Sequence, residues 1–246
     1  MKILFMGRKQ VSANLLRFLT KQDHIEIVGV LTDSHLQGSP TTAAAQELGL
    51  PLYTFDTALE AMREGRLKYD LGLSVLYWRK LRDEFLSIPT LGTINFHPAL
   101  LPEYKGTGGY NLAIMDELNE WGNTAHYVDA SIDTGEIIEV DRFPIDAETE
   151  TAQSLERKTM QALEPFAQRI IARAIESKTK LPTTPNIGGR YVSRDEMEAM
   201  KQILDGDNIE KKIRAFWFPP YDGAYVEING QKYTLINRQL LEEIAP

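Results

Sequence analysis

Gly92-Thr93-Ile94-Asn95-Phe96-His97-Pro98-Ala99-Leu100-Leu101-Pro102-Glu103-Tyr104-Lys105-Gly106 is the stretch whose reading decides the fold. Thr93, Ile94 and Phe96 are β-branched or aromatic and lie between Gly92 and Pro98, so the segment begins as a strand. Asn95 and His97 are two residues apart and point from one face of it. Pro98 stops the strand just after His97, because it has no N–H for a ladder. A carboxamide and an imidazole therefore meet at the carboxyl end of a strand, where open parallel sheets form their ligand crevice. Pro98 and Pro102 stiffen the loop that follows, and Gly106 ends it. His97 is a candidate acid, base or oxyanion stabiliser, and Asn95 a candidate polariser of a carbonyl. The alternative is two satisfied polar residues at a strand end.

Towards the N-terminus, strand and helix patterns alternate. Residues 2 to 6 read as a buried strand, Gly7 as a turn, and residues 10 to 21 as a helix with Val11, Leu15, Leu16, Phe18 and Leu19 at helical spacing. G-x-G-x-x-G is absent, so no dinucleotide fingerprint is present. Arg8 and Lys9 precede the helix, a position suited to an anion; solvated basic residues are the alternative. Strands follow at 26 to 32, 51 to 55 and 70 to 77, separated by helices at 40 to 48 and 57 to 65. This alternation predicts an α/β fold, a doubly wound, mostly parallel Rossmann-like sheet.

Beyond Gly106 the pattern predicts a helix over about 109–118 and strands over 124–130 and 135–145. Asp133-Thr134-Gly135 between those strands is a turn signal. His126 lies in an apolar strand and reads as a satisfied core histidine. A long helix spans about 151–177, with Pro165 predicting a kink or break. Residues 181 to 189 read as a linker. Two short helices and a hairpin around Asn229-Gly230, with strands 224–228 and 231–237, then form a C-terminal appendage. The chain divides into a catalytic domain, 1–180, and this appendage, 181–246.

Composition sets the limits. With 246 residues, 43% apolar and 25% charged, the chain has the make-up of a globular protein of one large domain with a small addition. No apolar run approaches a membrane span, and the N-terminal apolar stretch is too short for a signal peptide. The absence of cysteine excludes disulfides and thiolate metal sites and fits a cytoplasmic location. A net charge of −8 argues against a nucleic-acid partner.

Asn95-x-His97-Pro98-x-Leu100-Leu101-Pro102, followed about thirty residues later by Asp133-x-Gly135, resembles the signature of formyltransferases that use N10-formyltetrahydrofolate. The resemblance covers roughly residues 1–175. It implies a catalytic trio of Asn95, His97 and Asp133; the lack of cysteine and of a clustered His/carboxylate ligand set predicts no metal. An amine attacks the formyl carbon, an oxyanion forms and the amine loses a proton. Asn95 then donates to the oxyanion; His97 adds a second donor if protonated or takes the amine proton if neutral; Asp133 orients the imidazole, biases its protonation and relays protons through water.

Residues 76 to 81 resemble the family's folate-binding segment, which assigns Arg79 and Leu81 to the pterin, with Val128, Ala130 and Ile132 on its other side. The tail from Ile213 to Tyr225 resembles that of sugar N-formyltransferases acting on nucleotide-linked amino sugars. That implies a substrate site of Arg8, Lys9, Tyr77, Trp217 and Tyr221, with Arg8 and Lys9 at the diphosphate and Trp217 and Tyr221 stacking a base; packing of the tail is the other reading of these aromatics. It further implies a dTDP-linked acceptor, a role in lipopolysaccharide O-antigen synthesis and a homodimer joined through the hairpin. Methionyl-tRNA or glycinamide ribonucleotide formylation, and hydrolysis of formyltetrahydrofolate, are the alternatives.

Overall fold

The computed structural model describes residues 1–32 and 38–244. The first half lays down β1 (Lys2–Gly7), α1 (Gln10–Leu19), β2 (Glu26–Leu31), α2 (Pro40–Glu47), β3 (Leu52–Tyr53), α3 (Phe55–Arg63), β4 (Leu71–Val75), α4 (Asp83–Ser87) and β5 (Thr93–His97). Then come β6 (Tyr104–Gly106), α5 (Gly109–Met115), β7 (Glu120–Tyr127), β8 (Ile137–Pro144) and α6 (Ala152–Ser177). The tail holds β9 (Arg190–Val192), α7 (Arg194–Ala199), α8 (Ile209–Ala215), β10 (Tyr225–Ile228), β11 (Gln231–Thr234) and α9 (Arg238–Ile244).

Seven strands form one sheet in the order β3-β2-β1-β4-β5-β7-β8. The first five are parallel; β7 and β8 run antiparallel. The order reverses on either side of β1, so the chain winds first one way and then the other, as the alternation predicts. β1 shows why both faces need cover. Ile3 and Phe5 enter one core beneath α1, α2 and α6, while Leu4 and Met6 enter a second beneath α3 and α4. On β5, Ile94 and Phe96 join the first core. Asn95 and His97 therefore face the other side, at the end of the strand.

Several boundaries differ from the sequence reading, for local reasons. The helix expected at 57–65 begins at Phe55 because Thr54 and Thr57 form a reciprocal cap. The strand expected over 124–130 begins earlier and ends at Tyr127, where the Asp129 carboxylate accepts from Ser131 N and Thr134 Oγ1 and turns the chain. Pro165 does not break α6. Leu163, Phe166, Ala167, Ile170 and Ile171 are buried on both sides of it, and Phe166 meets Phe96 edge-on at 6.2 Å. That burial outweighs the lost backbone bond.

Residues 181 to 189, read as a linker, run along the main sheet. Leu181 N donates to Tyr127 Oη at 2.8 Å, and Thr184 bridges Ile137. Asn186 Nδ2 donates to the carbonyls of Asp133 and Gly135 at 3.0 and 2.9 Å. β9 then pairs in parallel with β6. Farther on, Ala215, Phe216 and Ala224 are buried with Ile114 of α5. No helix among the described residues is long and apolar enough to cross a membrane.

Pro165 is solvent-facing in an otherwise continuous helix. A mid-helix proline costs about 3 kcal/mol, offset in part by about 0.4–1 kcal/mol through the stiffer unfolded chain. Pro165→Ala is expected to stabilise the protein by about 2–2.5 kcal/mol, the helix-propensity difference less that offset. Urea melts at constant m-value check this; an unchanged or lower midpoint would show that α6 has adapted to its proline.

Candidate active site

The site grows from three neighbouring strands in register. Ser74 of β4 pairs with Asn95 of β5, which pairs with His126 of β7. Residues opposite one another share a face, so the three side chains form a row. Ser74 Oγ donates to Asn95 Oδ1 at 2.8 Å. His126 Nδ1 donates to the Tyr127 carbonyl at 2.8 Å, which leaves Nε2 of the neutral ring as an acceptor. Asn95 Nδ2 donates to that nitrogen at 3.0 Å. The amide is thereby held one way round, with one N–H on His126 and the other available to the cleft.

His97 is held by the loop that follows it. Its Nε2 lies 2.9 Å from the Tyr104 carbonyl, so this nitrogen carries the proton and Nδ1 keeps a lone pair. The loop itself is fastened by Thr124, whose Oγ1 donates to Ala99 O at 2.7 Å and accepts from Leu101 N at 3.1 Å. Asp133 arrives from the turn between β7 and β8 with φ of 56°, a left-handed conformation that Asp tolerates. Gly135 allows that turn to close: a Cβ there would lie 1.8 Å from the Tyr127 carbonyl oxygen. Asp133 Oδ1 lies 3.6 Å from His97 Nδ1 and 3.7 Å from His126 Nε2. Its Oδ2 accepts from Gly106 N at 3.0 Å.

Around this constellation the cleft has two lobes. A lobe of about 120 Å³ is lined by Ser74, Arg79, Leu81, His126, Val128 and Asp129, among others. A lobe of about 250 Å³ is lined by His97, Pro98, Gly106, Thr107 and Tyr191, among others. Tyr77, Trp78, Asn95, Ile132 and Asp133 line both. The cleft can thus hold two ligands that meet at Asn95 and Asp133.

A sequence profile of the formyl transferase family matches residues 1–171. The chain belongs to that family. A methionyl-tRNA formyltransferase of Lysinibacillus sphaericus is 30% identical over 241 residues, covering 91% of this chain and 74% of the relative. An N-formyltransferase from Helicobacter canadensis, solved with folinic acid and dTDP-3-aminofucose, is 25% identical with a TM-score of 0.73, covering 94% of this chain and 86% of that one. A 4-N formyltransferase from Francisella tularensis shares the fold at TM-score 0.78 and 20% identity, covering 95% and 96% of the two chains. The protein is therefore a formyl-transferring enzyme.

The structure brings Asn95, His97 and Asp133 together. It places Arg79, Leu81, Val128 and Ile132 on the smaller lobe, while Ala130 is exposed on the same loop but outside the lining. Tyr77 lies between the lobes. Arg8 and Lys9 lie outside the lining, and Lys9 pairs with Glu156 of α6. Trp217 follows the packing alternative: it is 9% exposed and sits against Ile213 and Leu240. Tyr221 is exposed, its ring 5.9 Å from Phe218 and outside both lobes. His126 is a satisfied core histidine, as read, and its Nε2 also reaches the site. Ser74 and Tyr191 escaped the sequence reading, as did the place of His126 at the site. The signal for Ser74 and His126 was a polar residue within an apolar strand; their alignment with Asn95 depends on pairing.

Burial holds His97 below its ordinary pKa, against the opposing pull of Asp133. Burial would raise the Asp133 carboxyl, but the two imidazoles and the Gly106 N–H outweigh it and hold it low. At neutral pH the resting site is a neutral imidazole beside a carboxylate. His97 Nδ1 can take a proton, and the resulting cation is stabilised by Asp133. Activity is therefore expected to rise with pH through an acid limb below 6.5, the ordinary histidine value. Asp133→Asn removes the charge that raises His97, so its limb moves to still lower pH. Turnover falls by about 10²-fold or more, the scale of acid–base groups. Profiles of kcat/KM against pH check both; a limb that moves upward in the variant contradicts the assignment.

Proposed function

We propose that the enzyme transfers a formyl group from N10-formyltetrahydrofolate to the primary amine of a nucleotide-linked, dTDP-linked amino sugar. The carrying observation is the two-lobed cleft joined at Asn95 and Asp133, with His97 lining only the larger lobe. Direct transfer needs donor and acceptor together, with the base on the acceptor's side.

The smaller lobe fits the donor. It is bounded by the segments 77–81 and 128–133, and Arg79, Leu81, Val128 and Ile132 would hold the pterin there. The fixed Asn95 amide directs its second N–H to the formyl oxygen, where negative charge develops. His97 Nδ1 receives the amine proton, and Asp133 stabilises the imidazolium; the tetrahedral intermediate then collapses, the bond from the formyl carbon to N10 breaks, and the proton returns to N10 of the departing tetrahydrofolate. The larger lobe takes the acceptor. The ligand pair carried by the Helicobacter canadensis relative, a folate derivative and a dTDP-amino sugar, supports this division.

Methionyl-tRNA is the second reading, favoured by the names of the curated relatives. The net charge of −8 disfavours a polyanionic acceptor of that size, because phosphate contacts dominate such binding. With formyltetrahydrofolate supplied, dTDP- and UDP-linked amino sugars are expected to gain a formyl group by mass spectrometry. Formylation of methionyl-tRNA and none of the sugars would overturn the proposal.

The hairpin supports a homodimer. Val226 pairs with Tyr233, and alternation puts Ile228 on the same face. Ile228 and Tyr233 are 54% and 45% exposed. A two-stranded ribbon with a bare apolar face needs a partner, and a second copy of the chain is the one proposed here. Light scattering is expected to give twice the chain mass for the wild type, and the single-chain mass for Ile228→Asp combined with Tyr233→Asp. A wild-type monomer would remove this part of the proposal.

A further inference from the structure

The larger lobe contains one residue from the tail, Tyr191 of β9. Its backbone position is fixed. β9 pairs with β6 with Tyr191 opposite Lys105. Arg190 N donates to Glu103 O at 2.9 Å, and Thr107 N donates to Val192 O at 2.8 Å. Gly106, with φ of 82°, makes the approach possible. A Cβ there would lie 2.4 Å from Val192 O and 2.9 Å from Tyr191 Cε2. One edge of the ring therefore lies against the Gly106 backbone, whose N–H binds the Asp133 carboxylate.

The ring is held there without being needed for the core. Tyr191 is 52% exposed, although an aromatic side chain gains most from full burial. It lines the larger lobe and not the smaller one. It is thus an aromatic surface beside the reacting groups on the acceptor's side alone. Whatever presents the amine must bring it to His97 and Asp133. The part of the acceptor next to Tyr191 is then the ring that bears the amine, and the nucleotide lies farther out.

We propose that Tyr191 is a specificity-determining residue that packs its ring on the apolar face of the amine-bearing sugar and selects a ring-borne amine. This rests on the amino-sugar reading given above. The hydrophobic edge of a pyranose and the face of a tyrosine complement one another, and two torsions are all that the side chain must fix.

The test is Tyr191→Ala in the full-length enzyme, with a dTDP-linked amino sugar that the wild type formylates. The acceptor KM is expected to rise about 10–100-fold, the scale of one buried aromatic contact. At saturating acceptor kcat changes much less, because the ring holds no proton in the reaction. Affinity for dTDP alone is expected to hold while affinity for the dTDP-amino sugar falls. Tyr191→Phe, which keeps the ring, recovers most of the loss. Retained 5-formyltetrahydrofolate binding and an unchanged melting temperature in Tyr191→Ala identify the loss as local. Wild-type enzyme that formylates no nucleotide-linked amino sugar overturns the amino-sugar reading and this inference with it. Wild-type activity on such a sugar with an unaltered KM in Tyr191→Ala overturns this inference alone. A loss in Tyr191→Phe equal to that in Tyr191→Ala assigns the effect to the hydroxyl and overturns the packing role.

Discussion

The nearly buried carboxylate of Asp133 is the constraint on which the rest of the cleft depends. A carboxylate withdrawn from water stays ionised only if donors or cations replace its hydration. Here the Gly106 N–H donates to it, and the rings of His97 and His126 stand 3.6 and 3.7 Å away, where the carboxylate stabilises either once protonated; each group comes from a different part of the chain. Gly106 ends β6, His97 ends β5, and His126 belongs to β7. The segment around Asp133 is held in turn from outside, because Asn186 caps the carbonyls of Asp133 and Gly135. Moving any of these elements would expose or unpair the charge.

The same row of contacts separates two chemical duties. Asn95 is fixed by neutral groups: a serine hydroxyl on its oxygen and an imidazole lone pair on its nitrogen. Those two bonds set which way round the amide sits before any ligand arrives. His97 is fixed through one nitrogen by a carbonyl, so the other stays basic. One strand thereby supplies a donor and an acceptor two residues apart, each with its role set by a neighbour.

The tail contributes to this chemistry through the backbone. β9 docks on β6 and brings Tyr191 to the cleft, while Lys105 Nζ donates to Gly188 O at 2.7 Å. The catalytic loop is therefore sandwiched between the main sheet and the residues just past α6. Trp217 and Leu240 pack within the tail itself. These two aromatic residues differ accordingly: Trp217 packs within the tail, and Tyr191 lines the larger lobe.

Sequence by itself determined the α/β class, the placement of Asn95 and His97 on one face, and the turn that carries Asp133. Each of these follows from a local rule: the alternation of strand and helix patterns, the period of two in a strand stopped by Pro98, and the Asp133-Thr134-Gly135 turn signal. Only the tertiary structure decided that Ser74 and His126 flank Asn95, that Lys9 turns to Glu156, and that Tyr191 enters the larger lobe. Those outcomes depend on which strands pair and in what register. Register is a property of two distant segments at once, and a shift of one residue would have turned His126 to the opposite face. Pro165 makes the same point in reverse. Its local rule predicted a kink or break, and the apolar contacts on both sides of it, made by residues far away in the chain, kept the helix continuous.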